Sequence, residues 1–350
     1  MKQYLVDLIK INGPISVSSF MNEILFNPKF GYYINQTPFG KKGDFITAPE
    51  ISQVFGELIG VYLVHLWQNN YNSGEIVLVE MGAGNGTLMR DLLNFATKIP
   101  NFLNKAEINI IEVSPKLQKI QQENLKNFNI KWYSNFADFT ASRKDRPLFF
   151  VANELLDCFA INQYVQINHF WQERLIGLSE DNNLQFVLAP KNQKLNEIIK
   201  SLAGDYSFEG AIFEHSPALE NFISELFSYL KANKGIALLI DYGYEKNKFE
   251  STLQALKNHQ YSNIFESLGE SDLTALVNFK RLRDLAKTQQ IQSWLVTQKE
   301  FLESLGIEIR RQKLIEGKIL KEQELINSSI NRLIAKDQMG DLFRVFICSA

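Results

Sequence analysis

From residue 75 onward the chain settles into a rhythm of strand, turn and helix, and this constrains its fold more than any other feature. Glu75–Glu80 holds an unbroken apolar run between two acids, the pattern of a strand buried on both faces. Thr87–Lys98 follows with Leu88, Leu92, Leu93 and Ala96 at helical spacing. Further strands are predicted at Ile108–Glu112, Ile130–Tyr133 and Leu148–Ala152, with Pro115 well placed as the first residue of an intervening helix. Alternation of this length predicts an α/β fold, a parallel sheet with helices on both faces.

Residues 1–74 read differently, as an N-terminal helical lobe. Gly13-Pro14 breaks a short first helix, and Ser16 is placed to cap a second one through Phe26. A loop rich in Gly and Pro runs from Asn27 to Pro49, and a long apolar helix over Ile51–Trp67 reads as core. The sheet domain, 75–350, carries two insertions. The first, at about 160–205, contains an antiparallel meander (Tyr164–Ile167, Trp171–Gly177, Leu184–Leu188). Helix 217–232 returns the chain to a fifth strand, Gly235–Asp241. The second insertion, about 244–335, reads as mostly helical, and Leu342–Cys348 as an edge strand.

Composition excludes several function classes. With 350 residues and a formal net charge of -2, a large cationic face for nucleic acid is not expected. Apolar stretches such as Ile59–Trp67 fall short of the ~20 residues of a membrane span, so a soluble protein is expected. Cys158 and Cys348 form no paired motif, and the four histidines lack ligand spacing, so no metal is expected. The N-terminus has neither an apolar signal core nor the composition of a mitochondrial presequence, which points to a cytoplasmic, bacterial protein.

The most informative stretch is Glu80-Met81-Gly82-Ala83-Gly84-Asn85-Gly86-Thr87, directly between a strand and a helix. Glycine lets the backbone turn tightly and approach a ligand closely. A dinucleotide fingerprint would need glycine at 87, where Thr87 stands. The spacing, with Glu80 two residues before the first glycine, resembles motif I of the class I S-adenosylmethionine-dependent methyltransferases. The resemblance implies a Rossmann-like sheet and S-adenosylmethionine as cofactor. It places Gly82, Gly84 and Gly86 beside the cofactor's amino-acid part, with Glu80 at the strand end. Glu112, at the end of the next strand, takes the place of the acid that holds the ribose hydroxyls. The plainer alternatives are an ordinary turn and a solvated strand end. Asp138, after the third strand, is a weaker candidate for the adenine region, where an exposed loop acid is the better reading.

The fourth strand ends in Asn153-Glu154-Leu155-Leu156-Asp157. It has neither the Asn/Asp-Pro-Pro-aromatic motif of exocyclic base methylation nor a Pro-Cys nucleophile. Glu154 and Asp157 would share one face of a helix, and paired carboxylates suit a planar, permanently protonated guanidinium. The plainer alternative is one helix cap and one surface acid.

A closer resemblance spans residues 30 to about 280. Phe30-Gly31-Tyr32-Tyr33, then Gly43-Asp44-Phe45-Ile46-Thr47-Ala48-Pro49-Glu50, are similar to the N-terminal signature of the MidA family, which includes the mitochondrial complex I assembly methyltransferase. The match continues through Glu80–Leu88, Asn153–Asp157 with Gln163, Ile240–Gly243, Ser251–Ala255 with His259, and Gly269–Val277. Ala83 and Asn85 replace the family's usual proline and arginine, and Leu276 and Asn278 its histidine and aspartate. The resemblance implies protein arginine methylation, with a subunit of respiratory complex I (NADH dehydrogenase) as the protein partner. Glu154 and Asp157 are then the catalytic candidates; Asp44, Glu50 and Asp241 are candidates for the substrate channel. Tyr32 and Tyr33 read more simply as packing. Two alternatives stay open: a cofactor-binding assembly chaperone without turnover, and a small-molecule methyltransferase.

Overall fold

The computed structural model describes residues 1–35, 47–142, 145–204, 208–257 and 260–350. Asp44 and His259 therefore lie outside the described residues. The chain forms two compact units, each gathered from separate stretches: Thr37–Leu156 with Ser224–Gly243 and Arg283–Ala350, and Met1–Gln36 with Asp157–Ile223 and Tyr244–Leu282.

The first unit is built on one sheet. Its strands are β1 (Ile76–Met81), β2 (Ala106–Ile111), β3 (Ile130–Tyr133), β4 (Leu148–Asn153), β5 (Gly235–Tyr244), β6 (Gln292–Thr297) and β7 (Phe343–Ser349). Along the sheet they run β6-β7-β5-β4-β1-β2-β3. β1 pairs in parallel with both β2 and β4, and β4 in parallel with β5. The last two strands are antiparallel: β7 pairs with β5 on one side and β6 on the other. The chain leaves β1 toward β2 and returns on the opposite side as β4. That reversal opens a crevice beyond the carboxyl ends of the two strands, the usual ligand position in such sheets.

Helices cover both faces, which is why Ile76–Glu80 and all of β4 are buried and read as continuous apolar runs. Helix α1 (Gln53–Asn70) packs on α2 (Thr87–Ala96), and its start is capped by the Ser52 side chain accepting from Val54 N. The two helices approach so closely that a Cβ on Gly56 would sit 2.8 Å from Asp91 Cβ. Helix α3 (Pro115–Asn124) begins at Pro115, as its sequence predicts. Among the described residues, no helix is long and apolar enough to cross a membrane.

The second unit carries an antiparallel sheet ordered 15–16, 170–178, 162–167, 212–215, with 184–188 paired to 170–178. Trp171, Tyr164 and Phe213 fill a small core of their own. Ser16 caps the Val17–Phe26 helix by accepting from Ser19 N. Inside this unit Glu214 is buried and accepts from Gln163 Nε2 at 2.7 Å and Thr252 N at 2.9 Å.

Three expectations change. The division into 1–74 and 75–350 is not the one the packing makes: α1 belongs with the sheet, whereas residues 1–36 pack with the meander, through pairing of Ile15 and Ser16 with Ile176 and Leu175. The stretch 244–335 is helical only from Phe279 onward, interrupted by β6, since 254–257, 260–262 and 272–274 form a three-stranded sheet. β7 is interior rather than an edge, because β6 pairs along its outer side.

Candidate active site

The carboxyl ends of β1 and β4 meet at a small pocket lined by Thr47, Pro49 and Glu50, by Glu80 with the glycine loop, and by Asn153 and Glu154. The loop forms because its glycines adopt backbone angles that other residues rarely take: Gly82 has φ 74° and Gly86 φ 79°. Gly82 is also a close approach, since a Cβ there would lie 2.7 Å from Leu155 Cδ1. The loop is tied to the sheet by Gly82 N donating to Ile111 O at 3.0 Å.

Glu80 is 3% exposed, and burial pushes its carboxyl up to about 8, against a backbone hydrogen bond from Met89 and with Glu112 adding repulsion. Its Oε2 and Asn153 Oδ1 have no hydrogen-bond partner among the described residues. Two unsatisfied buried acceptors beside a glycine cradle fit a ligand that brings donors or positive charge.

Glu154 stands in a left-handed conformation, φ 52°, and a short 3-10 turn follows at Leu156–Cys158. The segment is not an α-helix, so the shared helical face expected for Glu154 and Asp157 does not form. Glu154 N donates to Ile240 O at 2.9 Å, and Glu154 Oε1 accepts from Ala48 N and Asn153 Nδ2, both at 3.1 Å. The carboxylate is therefore aimed by two donors on the pocket wall. Asp157 belongs to the second unit, where its carbonyl accepts from Ala275 N.

Asp241 is fully buried, with Oδ2 accepting from Leu156 N at 2.7 Å and Oδ1 from Tyr242 N at 2.8 Å. That makes it a bracket for the turn after β4 rather than a channel wall. Glu50 reaches the glycine loop: its Oε1 accepts from Thr87 Oγ1 at 2.6 Å and from Asn85 Nδ2 at 3.4 Å. Glu112 lies just past β2, with Oε1 accepting from Ser114 N. Burial raises its carboxyl above the ordinary range, partly offset by that bond and by Gln121.

Sequence reasoning passed over Gln121 and Thr87. Gln121 Nε2 donates to Gly84 O at 2.9 Å and to Glu112 Oε2 at 3.1 Å, joining the glycine loop to the second acid. A glutamine on an otherwise solvated helix gives no sign of this. Thr87 could have been found, as the first residue of the helix that the loop opens.

Tyr33 and Asp138 follow the plainer readings. Tyr33 donates to Asp272 Oδ2 at 2.9 Å inside the second unit. Asp138 sits at an exposed helix start, bonded to Asn135.

Comparison with known proteins agrees with this geometry. Residues 58–297 match the family described as "Putative S-adenosyl-L-methionine-dependent methyltransferase". The chain is 32% identical over 365 residues to "Protein arginine methyltransferase NDUFAF7, mitochondrial" of Danio rerio, covering 98% of this chain and 85% of that protein. It is 33% identical over 359 residues to the Drosophila melanogaster homolog, covering 95% and 80%. A crystal structure from Burkholderia thailandensis, bound to S-adenosyl-homocysteine, superposes with a TM-score of 0.86 at 23% identity, covering 100% of this chain and 91% of that one. The fold is that of the class I methyltransferases, with their Rossmann-like sheet. The chain belongs to the MidA family of S-adenosylmethionine-dependent methyltransferases.

Proposed function

We propose that this chain is a protein arginine N-methyltransferase that acts on a subunit of respiratory complex I and supports its assembly. The observation that carries the reading is Glu154, a carboxylate oriented by Ala48 N and Asn153 Nδ2 on the wall of the pocket below the glycine loop. The names of the mitochondrial relatives, protein arginine methyltransferases, support the substrate class. When bound, S-adenosylmethionine supplies a methyl group on a sulfonium.

The chain's own residues do the rest. Glu80 and Asn153 offer the unsatisfied acceptors for the methionyl ammonium, Gly82 and Gly84 let the backbone approach it, and Glu112 serves the ribose. Glu154 accepts guanidinium N–H bonds and holds the positive charge on the nitrogens that do not react. This leaves electron density on the attacking nitrogen. Alignment of the reacting atoms contributes up to ~7–11 kcal/mol in favourable cases.

Methyl-labelled S-adenosylmethionine, incubated with the protein and unmethylated bacterial complex I subunits, tests the reading by mass spectrometry. Label on an arginine side chain is expected. Cofactor binding with no label on any protein would contradict it and favour an assembly chaperone without turnover.

A further inference from the structure

We infer that Gln121 is a positioning residue that couples the two ends of the crevice, so that the ribose and the amino-acid part of S-adenosylmethionine are held as one unit rather than separately. The inference rests on the proposed placement of the ribose at Glu112 and of the amino-acid part at the glycine loop. Gln121 lies on α3 and is fully buried. Its Nε2 donates to Gly84 O at 2.9 Å and to Glu112 Oε2 at 3.1 Å, and its Oε1 accepts from Trp132 Nε1 on β3 at 3.1 Å. One side chain therefore joins the loop after β1, the acid after β2 and the strand beyond.

Trp132 fixes which way the amide points. An indole N–H only donates, whereas a backbone carbonyl and an ionised carboxylate only accept. Turning the amide over would set N–H against N–H at Trp132 and oxygen against oxygen at Gly84 and Glu112. Both amide hydrogens are thus committed to the crevice. Glu112 is in turn held on both oxygens, Oε1 by Ser114 N at 2.9 Å and Oε2 by Gln121. Its carboxylate cannot rotate without losing one of these bonds.

The rest of α3 reinforces the link. About one turn before Gln121, Gln118 Nε2 donates to Glu112 O at 2.6 Å, and one turn after it Asn124 Nδ2 donates to Asn85 O at 2.9 Å. Residues three apart are neighbours along a helix surface. The first amide holds the strand end, the last holds the loop, and of the three Gln121 holds both. Packing follows the same line: a Cβ on Gly86 would lie 3.5 Å from Gln121 Cγ and 3.1 Å from Leu125 Cδ1. A shift of the loop therefore moves Gln121, and through it the Glu112 carboxylate.

Calorimetric titration of the full chain with three ligands tests this. They are S-adenosylhomocysteine, 5′-methylthioadenosine, which lacks the amino-acid part, and the 2′-deoxy form of S-adenosylhomocysteine, which lacks one ribose hydroxyl. The wild type should bind the first most tightly, and the two affinity ratios measure what each end contributes. Gln121→Met should weaken S-adenosylhomocysteine by about tenfold or more, the scale of a lost hydrogen bond to a charged group, and lower both ratios. Trp132→Phe leaves Gln121 in place but frees its amide. It should lower both ratios to a smaller degree, and it supplies the answer if Gln121→Met does not fold. A fall in one ratio alone would make Gln121 a prop of that end and overturn the coupling, as would wild-type ratios in either folded variant. No binding by the unaltered chain would overturn the cofactor reading and this inference with it, whereas binding with unmoved ratios overturns the inference alone.

Discussion

Thr87 Oγ1 donates a 2.6 Å hydrogen bond to Glu50 Oε1, fastening the segment that roofs the pocket to the first residue of the helix beneath it. A hydroxyl bonded to a carboxylate is a strong bond, and the helix N-terminus favours the anion further. Thr87→Val keeps the shape and removes the donor, so a local cost of about 1–3 kcal/mol is expected. Hydrogen exchange across residues 47–52 checks this: exchange should quicken in the variant, with a KM for S-adenosylmethionine raised severalfold. Unchanged exchange would mean that the bond does not hold the roof.

Glu80 should make both stability and cofactor binding depend on pH. Its carboxyl stands at about 8 in the folded protein against an ordinary 4.5, so the folded state holds the proton over that window. The contribution to stability is therefore full below 4.5 and is lost as pH rises toward about 8. Without cofactor, the melting temperature should fall across this range in the wild type and less in Glu80→Gln. A cationic ligand favours the ionised carboxyl, so cofactor affinity should rise over the same interval with proton release. Parallel pH profiles for the two proteins would contradict the assignment.

Gly82→Ala tests two independent constraints at one residue. The new Cβ meets Leu155 Cδ1 at 2.7 Å, and the backbone φ of 74° is costly for alanine. The variant should lose cofactor binding by at least tenfold and melt several degrees lower. Gly82→Ala/Leu155→Ala should recover only part of that binding, because the steric clash is relieved and the backbone strain is not. Complete recovery would leave the conformation without a role.

Glu154→Gln should bind S-adenosylmethionine within about twofold of wild type and lose kcat by two orders of magnitude or more, the range of a lost electrostatic contact to a reacting group. Separate titration and label-transfer measurements distinguish the two. Full turnover would remove Glu154 from the chemistry.

Much of this architecture was legible in the sequence because β1, β4 and the first half of β5 are apolar runs with helical periodicity between the strands, and the order of such units is nearly forced. Pro115 and Ser16 mark helix starts through local chemistry and stand where expected. The antiparallel end was not legible. Whether β6 or β7 lies outermost depends on long-range pairing that apolar pattern alone does not encode. Within the second unit the N-terminal residues enter the meander sheet through two paired positions, Ile15 and Ser16, too short a strand to read. At the site, the glycine loop and the carboxylates at its rim could be named, but their hydrogen-bond partners could not. Asp241 looked like a channel acid because its position after β5 is right, whereas its buried bonds to Leu156 N and Tyr242 N decide its place.

We propose that the crevice built by Glu80, the glycine loop and Glu112 holds S-adenosylmethionine. Isothermal titration of the full chain with S-adenosylmethionine, beside Glu80→Gln and Glu112→Ala, tests it most directly. One site per chain is expected in the wild type, with affinity at least tenfold weaker in each variant. Wild-type affinity in both variants, or no binding by the unaltered chain, would contradict the account.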